Sequence, residues 1–135
     1  MKDLQTEIRE ALRASDTALV CLRRARERLG SASRWGVVDL LGGGLFSGVM
    51  KQRRMAQANE ELANARYALQ EFARELRDVR GLSIPEVQLN DFLSFADLFL
   101  DGAIADWFMQ SRIAAARRQV DSAIEQVERI RRALN

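Results

Sequence analysis

The stretch Met55–Val79, MAQANEELANARYALQEFARELRDV, decides the fold. Steps of three and four residues along it touch Met55, Ala58, Leu62, Ala65, Leu69, Phe72, Leu76 and Val79, and none of these carries a charge. A 3.5-residue apolar repeat flanked by Asn, Glu, Gln and Arg describes a helix with one packing seam. The same rhythm precedes it in Leu4, Ile8, Ala11, Ser15, Ala18, Leu22, Ala25 and Leu29, with Leu12 and Leu19 widening the stripe. It follows again in Met109, Ile113, Ala116, Val120, Ala123, Val127, Ile130 and Leu134. Three such segments predict an all-α protein of three long antiparallel helices, running up, down and up in a coiled-coil-like bundle.

Punctuation agrees with that reading. Pro85 is the only proline, and six of the eight glycines fall between Gly30 and Gly48. Gly30 and Gly81 stand where C-terminal caps of the first two helices are expected, each preceded closely by arginine, Arg28 and Arg80. The expected organisation is a single domain over 1–135, with helices at about 2–29, 48–80 and 103–134. Phe92, Phe95 and Phe99 at helical spacing add a short helix over about 91–100. Before it, Ser83-Ile84-Pro85-Glu86-Val87 reads as extended.

Composition narrows the function classes. Hydrophobic residues make up 47% and charged residues 30%, which suits a folded helical domain rather than a disordered chain. The formal net charge of +2 is too small to point to nucleic acid at whole-chain level. There is no histidine, which removes the common catalytic triads and most zinc sites. The single cysteine, Cys21, lies beside the first seam and reads as a small buried hydrophobe. The start Met1-Lys2-Asp3-Leu4 has no apolar run, and Gly36–Met50 is short for a spanning helix and contains Asp39. A cytoplasmic location is expected.

Two connecting segments are richer than a minimal bundle needs. The first carries Trp35, Gly36, Asp39, Gly42, Gly43 and Gly44, with Lys51 just beyond. Consecutive glycines permit positive φ and can turn backbone amides toward an anion. A P-loop is not the explanation: Gly43 and Gly48 have its spacing, but Val49 stands where lysine is required. The second segment carries Phe95, Phe99 and Trp107 together with Asp97, Asp101 and Asp106. Three aspartates could hold a hard cation such as Mg²⁺ or Ca²⁺ or act as acid and base, yet helix-start chemistry and pairing with arginine account for them more simply. No catalytic residue, cofactor or metal is assigned.

Charge is uneven along the chain. Arg23, Arg24, Arg26 and Arg28 close the first long segment, Lys51, Arg53 and Arg54 open the second, and Arg129, Arg131 and Arg132 close the third. An up-down-up bundle gathers all of these at one pole. The opposite pole then receives Glu86, Asp91, Asp97, Asp101 and Asp106.

The run Trp35-Gly36-Val37-Val38-Asp39-Leu40-Leu41-Gly42-Gly43-Gly44 resembles a motif, W-G-x-x-D-x-x-G-G-G, of a group of bacterial all-helical proteins to which no activity is attached. Phe95-Ala96-Asp97-Leu98-Phe99-Leu100-Asp101, then Asp106-Trp107, is similar to a later stretch of the same group. The resemblance covers the chain from about Leu29 onward and implies that the two segments matter together. Gln52 departs from it, since the group carries histidine after the lysine.

The expectation is a non-enzymatic protein-interaction or scaffold module that uses Trp35–Gly44 or the Phe92–Phe108 segment. The alternatives are a peripheral membrane protein, attached to an anionic surface through the basic pole and Leu45-Phe46, and a carboxylate metal protein or enzyme. The alanine-rich seams leave room for a homodimer. Nucleic acid is not favoured, because single-strand platforms need several exposed aromatics and this pole offers mainly Trp35.

Overall fold

The computed structural model describes residues 3–40, 47–79, 84–100 and 113–134, with side chains for 3–30, 56–79, 84–99 and 114–134. Four helices make up the described residues, with no strand among them: α1 Leu4–Leu40, α2 Ser47–Asp78, α3 Glu86–Leu100 and α4 Ile113–Leu134. The architecture is an all-helical bundle.

The start of α1 is set by Asp3. Its carboxylate accepts a hydrogen bond from the Thr6 backbone N–H at 2.7 Å, and its carbonyl accepts from the Glu7 N–H at 3.1 Å. The helix then runs 37 residues, about 55 Å at 1.5 Å per residue. Its expected end at Gly30 is overturned. Gly30 is buried and keeps a helical backbone, and α1 continues to Leu40. A lone glycine costs a helix only about 1 kcal/mol relative to alanine, and no proline follows to enforce a stop. Residues 31–40, expected as part of a connecting loop, are therefore helix.

Two other boundaries differ. α3 begins at Glu86, five residues ahead of the expected start, and the Pro85 carbonyl accepts from the Leu89 N–H at 3.0 Å. A proline at a helix start loses no hydrogen bond, and Glu86 favours the positive end of the helix dipole. The extended reading fails for that reason at Glu86 and Val87, while Ser83 lies outside the described residues. The expected start of the third long helix at 103 lies outside the described residues, as does the expected cap at Gly81.

The seams are buried wherever their side chains are described from Ala11 onward. Ala11, Ser15, Ala18, Leu22, Ala25 and Leu29 of α1 meet Ala58, Leu62, Ala65, Leu69, Phe72, Leu76 and Val79, and Ala116, Val120, Ala123, Val127, Ile130 and Leu134, in one core. Ser15, the polar member, is fully buried and donates its hydroxyl to the Leu12 carbonyl at 2.6 Å. A bond to a carbonyl of its own helix removes most of the cost of burying that hydroxyl. From α3, Phe92, Ala96 and Phe99 join the same core, and the Phe92 ring meets Phe72 edge-on at 5.4 Å.

The sense of the helices follows from their cross-pairs. Arg28 reaches Gln57, so α2 runs opposite to α1, and the residues that flank their shared groove keep that register down to Ala14 and Glu71. Asp16 pairs with Arg131, Arg23 with Glu128 and Arg26 with Asp121, so α4 also runs opposite to α1. This overturns the up-down-up order. The third long helix runs down, not up, since α2 and α4 both oppose α1. Packing follows the chain: α1 on α2, α2 on α3, α3 on α4, and α4 back on α1. Among the described residues, α1 and α3 make no close backbone approach, nor do α2 and α4.

Candidate functional site

Register along α1 gives the bundle two distinct ends. A side-chain carbon placed on Gly30 would lie 3.8 Å from the Arg117 guanidinium, one step above the Arg26–Asp121 pair. Four residues further, Ile113 at the start of α4 stands level with about Arg34. The register of the Arg28–Gln57 pair sets Ser47 of α2 level with about Val38. The last turns of α1 and the first turns of α2 and α4 therefore share one end. At the other end lie the N-terminus of α1, the C-terminus of α2 and, packed beside Phe72 and Arg77, helix α3. Phe72 stands level with Arg13 of α1, about 30 Å below Arg34.

The residues singled out from the sequence distribute unevenly over this frame. Trp35, Gly36 and Asp39 belong to the last turns of α1, and Lys51 to the second turn of α2. Gly42, Gly43, Gly44, Trp107, Asp101 and Asp106 lie outside the described residues. Phe99 is 2% exposed and is a core residue. Phe95 is half-buried, its ring 6.2 Å from that of Phe99. Asp97 is exposed and takes an ion pair from Arg77 at 3.2 Å, an arrangement of surface pairing. Among the described residues no three metal-ligating side chains cluster.

The expected single basic pole is also corrected. Because α4 runs downward, Arg131 meets Asp16 at 2.8 Å and Arg129 meets Glu125 at 3.3 Å, well below Arg28. The end that holds Leu40, Ser47 and Ile113 gains Arg117 and Arg118 in their place. Arg24, Arg117 and Arg118 are exposed and have no ion-pair partner among the described residues, and Arg28 donates only to the neutral Gln57 oxygen at 3.3 Å. Arg23, Arg74, Arg77, Arg129 and Arg131 each meet a carboxylate within 3.3 Å and Arg26 meets Asp121 at 3.6 Å, whereas Arg9, Arg13 and Arg132 lower down are also exposed with no ion-pair partner among the described residues. Sequence reasoning missed Arg117 and Arg118. Only the direction of α4 brings them to this end.

One apolar groove opens between α1 and α2, about 450 Å³, flanked by Ala14, Thr17, Cys21, Asn64, Tyr67, Ala68 and Glu71. Burial pushes the Cys21 thiol up, against the pull of Arg24 and with the help of Glu61, so thiolate is scarce and the residue is a poor nucleophile. Cys21 is half-buried at this groove, not the buried residue expected.

No helix of the described residues is long and apolar enough to cross a membrane. Comparison with known protein families, with curated proteins and with solved structures finds no match.

Proposed function

We infer that the protein is a non-enzymatic interaction or scaffold module that engages a protein partner through the end holding Leu40, Ser47 and Ile113. One observation carries the reading. The chain leaves α1 and enters α2 at this end, and it enters α4 there too, so both flanks of the first unusual segment meet the C-terminal flank of the second, whose α3 flank stands at the other end. Trp35, Gly36, Asp39, Gly42, Gly43, Gly44, Lys51 and Trp107 are its candidate contact residues. Phe95 and Phe99 support the scaffold from within the core or its edge. Coiled-coil-like interdigitation of the long helices, supported by the buried 3.5-residue seams, would make that scaffold stiff. A stiff rod that presents an aromatic, glycine-rich end suits recognition better than chemistry.

The test is a quantitative pull-down with the full chain and three variants, Trp35→Ala, Trp107→Ala and the distant Val20→Ser. A protein recovered by the wild type and by Val20→Ser, but lost with both tryptophan variants, supports the reading. Recovery unchanged by either tryptophan variant contradicts it. The unpaired arginines at this end favour a second reading, attachment to an anionic lipid surface. Co-sedimentation with phosphatidylglycerol vesicles at low salt checks that reading, and no binding there removes it.

A further inference from the structure

The groove between α1 and α2 is open along the middle of the bundle. Its floor is small and apolar at Ala14 and Ala68, and its rims expose two large apolar side chains, Val20 at 47% and Tyr67 at 70%. Steps of four and seven put Arg13, Thr17 and Arg24 on one stripe along the α1 rim, and Glu60, Tyr67 and Glu71 on one stripe along the α2 rim. Arg13, Arg24 and Glu60 are exposed with no ion-pair partner among the described residues, and Glu71 meets Arg74 of its own helix. In the register of the Arg28–Gln57 pair, Glu60 stands level with Ala25, Tyr67 with Ala18 and Glu71 with Ala14. At two heights, then, the α1 rim is basic where the α2 rim is acidic, with Thr17 and Tyr67 between them. Further down both signs reverse together, Glu10 standing about level with Arg74, and further up Glu27 stands beside the level of the neutral Gln57.

We propose that a second copy of this chain covers the groove, in a two-fold dimer whose axis runs along the bundle, so that α1 of each copy lies against α2 of the other. Charge complementarity selects both the occupant and its direction. With the axis along the bundle, levels are shared between copies, so Arg24 meets Glu60 of the second copy, Arg13 meets its Glu71 and Thr17 meets its Tyr67. Each contact occurs twice. Guanidinium groups bind carboxylates through paired N–H donors, which suits arginine on this rim. The opposite choice, with the copies antiparallel about the middle of the groove, would set Arg13 against Arg24 and Glu60 against Glu71. Like charges in contact reject that arrangement. In the favoured one every helix of the central four has antiparallel neighbours, so the helix dipoles alternate, as in a four-helix bundle. Small residues on the floor let the two layers approach closely. The same patch is used by both copies, so assembly closes at two chains.

Sedimentation velocity of the full chain, at low salt over a range of concentrations, tests this. The average mass should rise from 15.3 kDa toward twice that value and stop there. Tyr67→Asp should hold the chain at monomer. Arg24→Glu alone and Glu60→Arg alone should each lose the dimer, and an equal mixture of the two should regain it, because each copy then offers the sign that the other needs. Circular dichroism confirms that each variant keeps its helices; where a reversal unfolds the chain, Tyr67→Asp carries the test. A monomer at every concentration, or association indifferent to Tyr67→Asp and to both reversals, overturns the proposal. A dimer tightened by Arg24→Glu alone also overturns it, since only the antiparallel arrangement would set the new carboxylate against Arg13. The tryptophan pull-down is separate: it reads Trp35 and Trp107, which these variants leave unchanged, so either result can stand without the other.

Discussion

The two flanks of α1 are built on different principles. Toward α4, three ion pairs form a ladder: Arg26–Asp121 at 3.6 Å, Arg23–Glu128 at 3.0 Å and Asp16–Arg131 at 2.8 Å. Toward α2, the buried residues include many small ones, Ala11, Ser15, Ala18 and Ala25 with Ala58, Ala65, Ala68 and Ala73, and one polar link is the neutral Arg28–Gln57 bond. The difference teaches where each helix gets its register. α2 follows α1 after a short connection, so chain geometry already makes it antiparallel and packing can do the rest. α4 arrives after α3, and nothing local fixes its direction. Exposed ion pairs stabilise by about 0–1 kcal/mol each, but the wrong direction would set like charges together, which is how surface charge selects one arrangement.

Breaking the α1–α2 flank should cost most. Leu69→Ala empties a fully buried seam position and should destabilise by about 2–5 kcal/mol in urea unfolding. Ala18→Leu overfills the same flank from the other side, with an expected loss of about 1–3 kcal/mol. Were these helices held mainly by charge, both effects would be small and salt-dependent instead.

Gly30→Ala sharpens the comparison at the point where all three long helices are still present. Space is open, since a new carbon meets Arg117 at an ordinary 3.8 Å, and the backbone is helical. The substitution should stabilise by about 0.5–1 kcal/mol, and calorimetry should show a higher Tm. A lower Tm would mean that Gly30 caps the helix after all.

Breaking the α4 ladder should cost less. Arg131→Gln and Asp16→Asn, singly and together, should each lose up to about 1 kcal/mol, with a coupling that shrinks as salt rises. The smallest effect belongs to Asp3. Hydrogen bonds from Thr6 hold its carboxyl below the usual 3.8. Its contribution is present above that ordinary value and is lost as pH falls through the lower folded one. Asp3→Asn should flatten the acid limb of a stability-versus-pH profile by a small amount.

Much of this architecture is legible in the amino-acid sequence. The three seams can be read because burial recurs every 3.5 residues, and each described seam residue from Ala11 onward is buried. Phe92 and Phe99 are readable as helix but not as core, since spacing alone does not say which face a partner covers. The end of α1 is not readable: glycine permits a stop without imposing one. Pro85 hides the start of α3, because the same residue opens helices and interrupts them. The direction of α4 is the largest gap. Arg23 and Glu128, or Asp16 and Arg131, look like ordinary surface charges until the helices that carry them are known to run in opposite senses. That single unknown decides which arginines gather at the end holding Leu40, Ser47 and Ile113.

The most direct test is therefore the direction of α4, measured by electron–electron distance in a Cys21→Ala background. One sample carries spin labels at Glu27 and Arg118, the other at Glu27 and Arg132. With α4 opposed to α1, Glu27 stands level with Val120, so the Arg118 pair must be the closer, while Arg132 lies about 20 Å down the helix. A shorter distance for the Glu27–Arg132 pair would mean that α4 runs parallel to α1, and the shared end would not exist.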